Sequence, residues 1–198
     1  MKNKKNLIII SLLLVCGFLV YNYTKTSEVN IDKKNFNTYE NIEYGYKFEY
    51  PKEANVVDGK DFPSTFNKKN SVVILLPEKY ESLKDPHYID RDEIQIELLG
   101  EKQNFGETNE EIIKKFSGKT KLLEQVKNKK NLEVFIFSLG QVYIVSDDLI
   151  YSIHLLRQDP SIFIPQGLSE KDILNLEENY NYELNILENI YSTFEIIK

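Results

Sequence analysis

Apolar and polar residues follow three rhythms along this 198-residue chain. The first is a nearly unbroken apolar run, Leu7 to Tyr21 (LIIISLLLVCGFLVY), placed directly after Lys2, Lys4 and Lys5. The second is alternation with period two, the mark of a strand with one face buried. Tyr44, Tyr46, Phe48 and Tyr50 alternate with Gly45, Lys47 and Glu49 until Pro51, and Ile94, Ile96 and Leu98 alternate with Gln95 and Glu97. Val72 to Leu76 is a short apolar run ended by Pro77 and reads as a more deeply buried strand. Four further strand candidates, Leu122–Lys127, Leu132–Leu139, Gln141–Ser146 and Leu149–Arg157, are separated by polar turns, which predicts an antiparallel meander. The third rhythm has steps of three and four. Leu176, Tyr180, Leu184, Leu187, Tyr191 and Phe194 form one stripe of a C-terminal helix, with Ser169 as N-cap and Asp172 three residues on. The helix is expected to fray near Ile190, leaving Phe194–Ile197 as a closing strand or tail. A shorter helix begins at Thr108, where Thr108 and Glu111 fit a capping box, and ends at Gly118.

The apolar run sets the address. Lysines ahead of it hold the N-terminus in the cytoplasm and send the remainder outward. Leu7 to Tyr23 would make about 25 Å of helix, at the short edge of what spans a bilayer. Cleavage by signal peptidase wants small residues after the run, yet Ala54 is the one alanine of the chain. A lipobox wants a small residue where Val15 precedes Cys16. The reading adopted is an uncleaved signal-anchor over residues 1–23 (apolar 7–23), in a single-pass protein with its C-terminal domain extracytoplasmic. Lipid attachment at Cys16 and secretion after cleavage stay open. Residues 24–38 read as a polar linker and 39–198 as one domain.

Charge narrows the function. The first 23 residues hold three lysines and no acid, so the remainder carries 22 basic and 31 acidic residues. An acidic domain argues against nucleic acid, which rewards neutralised phosphates. With Cys16 the single cysteine, the exported domain has no disulfide and must rest on its core. The use of Lys, Asn, Ile and Tyr with little Ala points to an AT-rich, low-GC bacterium.

The opening Tyr39–Pro51 (YENIEYGYKFEYP), with its aromatic–Gly–aromatic strand ending in Tyr-Pro, resembles the start of PsbP-like domains in low-GC Gram-positive surface proteins and lipoproteins. The stretch Ile190–Ile196 (IYSTFEI) is similar to their end. The resemblance implies an α+β fold, an α/β/α sandwich with a central antiparallel sheet, here preceded by one N-terminal transmembrane or signal helix. It also implies a docking or scaffold module on a membrane or envelope protein, and not an enzyme.

Candidate chemistry is sparse. His87 and His154 sit in no zinc-binding spacing. His154, on a strand, is expected to face solvent or to bond within the sheet. The segment Asp85–Glu93 gathers acids and His87 without the spacing of a calcium loop. Asp147–Asp148 reads as a turn. Nucleophile elbows and phosphate cradles are missing from the sequence. No catalytic, cofactor-binding or metal residues are therefore expected, and no cofactor. The expected partners are the membrane, through the N-terminal helix, and a protein; nucleic acid is not expected. The alternatives are an envelope hydrolase using carboxylates of the 85–93 segment and a carrier of a small ligand or lipid between sheet and C-terminal helix.

Overall fold

The computed structural model describes residues 35–61, 70–77, 93–106, 108–118, 120–156 and 168–197. Two compact units divide the chain, Met1–Asp32 and Lys33–Lys198, and every described residue lies in the second. The apolar segment 7–23, the linker up to residue 34, His87 and the acidic stretch 85–92 lie outside the described residues. Among the described residues no helix is long and apolar enough to cross a membrane.

The fold is α+β, built from antiparallel sheets and a long C-terminal helix. In chain order it runs β1 (Phe36–Asn41), β2 (Tyr46–Pro51), β3 (Asn55–Asp58), β4 (Ser71–Leu75), β5 (Glu93–Glu101), α1 (Asn109–Ser117), β6 (Leu122–Lys127), β7 (Glu133–Phe137), β8 (Gln141–Val145), β9 (Leu149–Leu155), α2 (Glu170–Thr193) and β10 (Glu195–Ile196). Seven strands form the main sheet in the order β3-β4-β5-β9-β8-β7-β6, and a smaller sheet has the order β1-β2-β10. The meander expected from the spacing of turns is β6-β7-β8-β9, each strand antiparallel to the next.

Two strands escaped the sequence pattern. β1 begins at Phe36, inside the stretch read as linker, and pairs Phe36 with Pro51 through to Asn41 with Tyr46. It is an edge strand with three of its six residues exposed and no regular apolar alternation to mark it. β3 has only four residues, too few to show a period. The Tyr46–Pro51 strand therefore belongs to a second sheet.

The main sheet is covered on both faces. On one, Val72, Ile74, Ile94, Ile96, Val142, Ile144, Tyr151 and Ile153 pack with Tyr46 and Phe48 of the small sheet and with Ile186, Leu187 and Ile190 of α2. On the other, Phe135, Phe137, Tyr143, Val145 and Ile150 receive Ile112 and Ile113 of α1. Each such large apolar side chain contributes roughly 1.5–3 kcal/mol on burial.

Both helices begin as the sequence predicts. Thr108 and Glu111 form a complete capping box, and so do Ser169 and Asp172. The buried face of α2 is rotated from the predicted stripe. Leu176, Asn179, Tyr180, Glu183, Ile186, Leu187 and Ile190 are buried, while Leu184 and Tyr191 lie half-buried at the flank. A carboxylate and an amide inside the stripe hid its true centre. Nor does the helix fray near Ile190, because its C-terminal carbonyls are capped from another element. Asn128, in the β6–β7 turn, donates its side-chain amide to the carbonyls of Tyr191 (3.0 Å) and Phe194 (2.8 Å). Its Oδ1 accepts from the amides of Lys130 and Leu132, which holds the turn itself. The β7–β8 turn is tighter still. Gly140 has φ +65°, and a Cβ there would lie 2.7 Å from the Leu155 Cβ.

Candidate functional site

Three regions of the described surface and interior gather polar or unsatisfied groups. The first is on the α1 face of the main sheet, where the strand register brings together Gln95 and Glu97, the polar alternates of β5, with residues of three neighbouring strands. Gln95 lies opposite His154 and Glu97 opposite Ser152 across β5–β9, while Ser71 lies opposite Glu97 across β4–β5. Tyr143 adjoins Ser152 on the other side. Ser71, Gln95 and Ser152 are buried. Gln95 donates to the Ser71 hydroxyl at 3.2 Å. The His154 ring stands edge-on to Tyr143 at 5.9 Å. Burial, aided by the charge of Glu97, raises the Tyr143 pKa. The Tyr143 hydroxyl donates to the Phe116 carbonyl at 3.1 Å and so satisfies one of the last carbonyls of α1.

Ser152 and His154 share a face two residues apart, roughly 7 Å along a strand. The Ser152 hydroxyl is buried and makes no hydrogen bond among the described residues. It is thus not engaged by the imidazole, as an activated serine would be. The sequence missed this cluster because alternation of Gln95 and Glu97 with isoleucines looks the same whether the polar face meets solvent or a second layer.

The second region is a groove of about 600 Å³ lined by residues including Lys102, Lys127, Lys130, Glu133, Asp147 and Asp148. Some of these charges are used internally. Lys130 pairs with Glu195 at 2.6 Å and Lys127 approaches Glu133 at 4.0 Å. Asp147–Asp148 is the turn that the sequence predicts, held by Ser146, whose hydroxyl accepts from the amides of Asp148 and Leu149. The acidic Asp85–Glu93 segment is represented only by Glu93, the first residue of β5. Glu195 has a lowered pKa because Lys130 and Lys47 bond its carboxylate, and Asp172 is lowered by its bonds to Ser169. Among the described residues no cluster of His, Cys, Asp and Glu could hold a metal.

The third region is the free end of the main sheet. β6 is the outermost strand, and five of its six residues are exposed. Leu122 and Leu123 are 43% and 60% exposed, adjacent large apolar side chains on a surface strand. Beside them runs a groove of about 360 Å³. Its floor is Phe135 and Phe137 of β7, one wall is Glu110, Ile113 and Lys114 of α1, and the other is Leu122 and Gln125 of β6. A bulge between Leu122 and Glu124 shifts the strand register here. The charge is as uneven as the polarity. Residues 113–130 carry seven lysines and one acid, Glu124, in a chain of net charge −6. That lysine density was the signal in the sequence for this region. The space between sheet and α2, where a carrier would hold its cargo, is filled by Tyr46, Phe48, Tyr151, Phe194 and the α2 side chains.

No family model matches the chain, and no curated protein matches it. Among solved structures it is similar to the solution structure of the cyanobacterial PsbP protein (CyanoP) of Synechocystis sp. PCC 6803. The identity is 11%, the match covers 87% of this chain and 99% of that one, and the TM-score is 0.40. At that identity and TM-score the match assigns neither family nor role.

Proposed function

We propose that this protein is an extracytoplasmic docking module of PsbP-like type, held at the cell membrane by its N-terminal apolar segment and binding a membrane or envelope protein. The observation that carries the reading is the exposed pair Leu122 and Leu123 beside an apolar groove, on the outer strand of an otherwise well-covered sheet. Leu122 in the groove lining and the exposed Leu123 next to it offer contiguous apolar surface of the kind a partner covers. The lysines ahead of the Leu7–Tyr21 run support the address, and the aromatic–Gly–aromatic opening of the domain supports the PsbP-like type.

In-cell crosslinking of the full-length protein, tagged at its C-terminus, tests the reading. One dominant membrane or envelope protein should be recovered, and Leu122→Glu with Leu123→Glu should abolish its recovery. Unchanged recovery from the double variant would remove this surface from the account. Protease added to intact protoplasts checks the address: the tag should be lost, and a tag that survives would place the domain inside.

A further inference from the structure

The docking reading leaves the form of the partner open, and the sheet edge specifies it. We propose that the outer edge of β6 and the adjoining groove bind an extended acidic–apolar segment of a partner protein by strand addition. The inference rests on the docking reading.

Three observations converge. No strand among the described residues pairs with the outer edge of β6, so its main chain faces outward as a template for another strand. The groove lies just inside that edge with Leu122 and Gln125 of β6 in its lining, so that Leu122 and the exposed Leu123 beside it offer apolar surface to an added strand. Lys114 in the groove lining and Lys121 next to the start of β6 are exposed and complement acidic side chains, which a strand presents on the alternate positions. The same charges act against a second copy as the occupant. In the register centred on Glu124, two antiparallel copies set Lys121 opposite Lys127 and Glu124 opposite Glu124, and like charges directly opposed are destabilising. The bulge at Leu122–Glu124 disturbs such self-pairing further.

The test uses the full-length protein in detergent micelles and a ten-residue peptide alternating Glu or Asp with Val or Leu. A control peptide of the same sequence carries N-methyl groups on alternate residues and cannot complete a ladder. Expected are saturable binding, new protection from amide exchange over residues 122–127, and affinity weaker by about tenfold or more for the N-methylated peptide and for the double variant Lys121→Glu, Leu123→Glu. Both substituted residues are exposed, and unchanged circular dichroism will show the variant folded. Equal affinity for the two peptides overturns the proposal, as does peptide binding without protection of 122–127. Protection of that stretch by protein concentration alone would show a second copy as the occupant, and protection by anionic vesicles but not by the peptide would show a lipid surface; each overturns it. If the peptide fails while in-cell crosslinking still depends on Leu122 and Leu123, strand addition falls and the docking reading stands.

Discussion

The two faces of the main sheet solve the same packing problem differently. Under α2 and the small sheet the contact is largely aromatic, with Asn179 and Glu183 of α2 buried beside it. Phe194 lies 5.3 Å from Tyr46 and 5.1 Å from Tyr151 between ring centroids, and all three are buried. Under α1 the layer is narrower. Ile112, Ile113 and Phe116 cover the β7–β8 side, while the β4–β5–β9 side carries Ser71, Gln95, Glu97 and Ser152, and the far margin opens into the groove at β6. The first face holds the fold together. The second combines less apolar burial with an open edge, so its margin is expected to open locally before the first face does.

Truncation of one phenylalanine on each face gives the largest contrast. Phe194→Ala should cost about 3–5 kcal/mol in urea unfolding, since the ring is wholly buried among other rings. Phe116→Ala, at a half-buried position, should cost about 1–2 kcal/mol. Equal losses would erase the distinction between the faces.

Hydroxyl deletions sharpen it at a smaller scale. Tyr151 donates to the Tyr44 carbonyl at 3.0 Å, so Tyr151→Phe should cost about 1 kcal/mol. The Tyr46 hydroxyl is buried and makes no hydrogen bond among the described residues, and burial pushes its pKa well above the usual phenol range. Tyr46→Phe should be neutral or stabilising by a few tenths of a kcal/mol to about 1 kcal/mol. Ser152→Ala poses the same question on the other face and should also cost little. A large loss for either would reveal a partner for the hydroxyl.

The smallest effect is that of pH. The Glu195 carboxyl is held below its ordinary range by Lys130 and Lys47. A carboxyl whose folded pKa is depressed contributes stability above its unfolded pKa and loses it as pH falls through the folded value. Thermal unfolding of the wild type should therefore weaken below the ordinary glutamate range, and Glu195→Gln should flatten that acid limb while lowering stability slightly at neutral pH. An unchanged acid limb would show the two lysines to be screened bystanders.

Much of the fold was legible because local chemistry dictated it. Thr108 with Glu111 and Ser169 with Asp172 declare helix starts through two reciprocal bonds each, and the turns between β6 and β9 declare strand ends. The candidate surface was less legible. Leu122 and Leu123 look like any strand residues until the sheet order puts β6 at the margin, and sheet order depends on contacts distant in sequence. Gln95 and Glu97 misled for a related reason: period two reports which residues share a face, not what covers that face. Glu183 hid the centre of the α2 stripe because a carboxylate is expected to point outward.

The Asn128 cap has a consequence for the order of events in a chain made from one end. A side chain on a hairpin turn bonds the carbonyl of Phe194, 66 residues further on at the end of α2, and β10 then completes the sheet begun at β1. Neither stitch can form while the stretch around Glu195 is still held in the ribosome. Until that stretch is released the aromatic layer lacks its Phe194 lid, and the nascent domain is a substrate for chaperones and proteases.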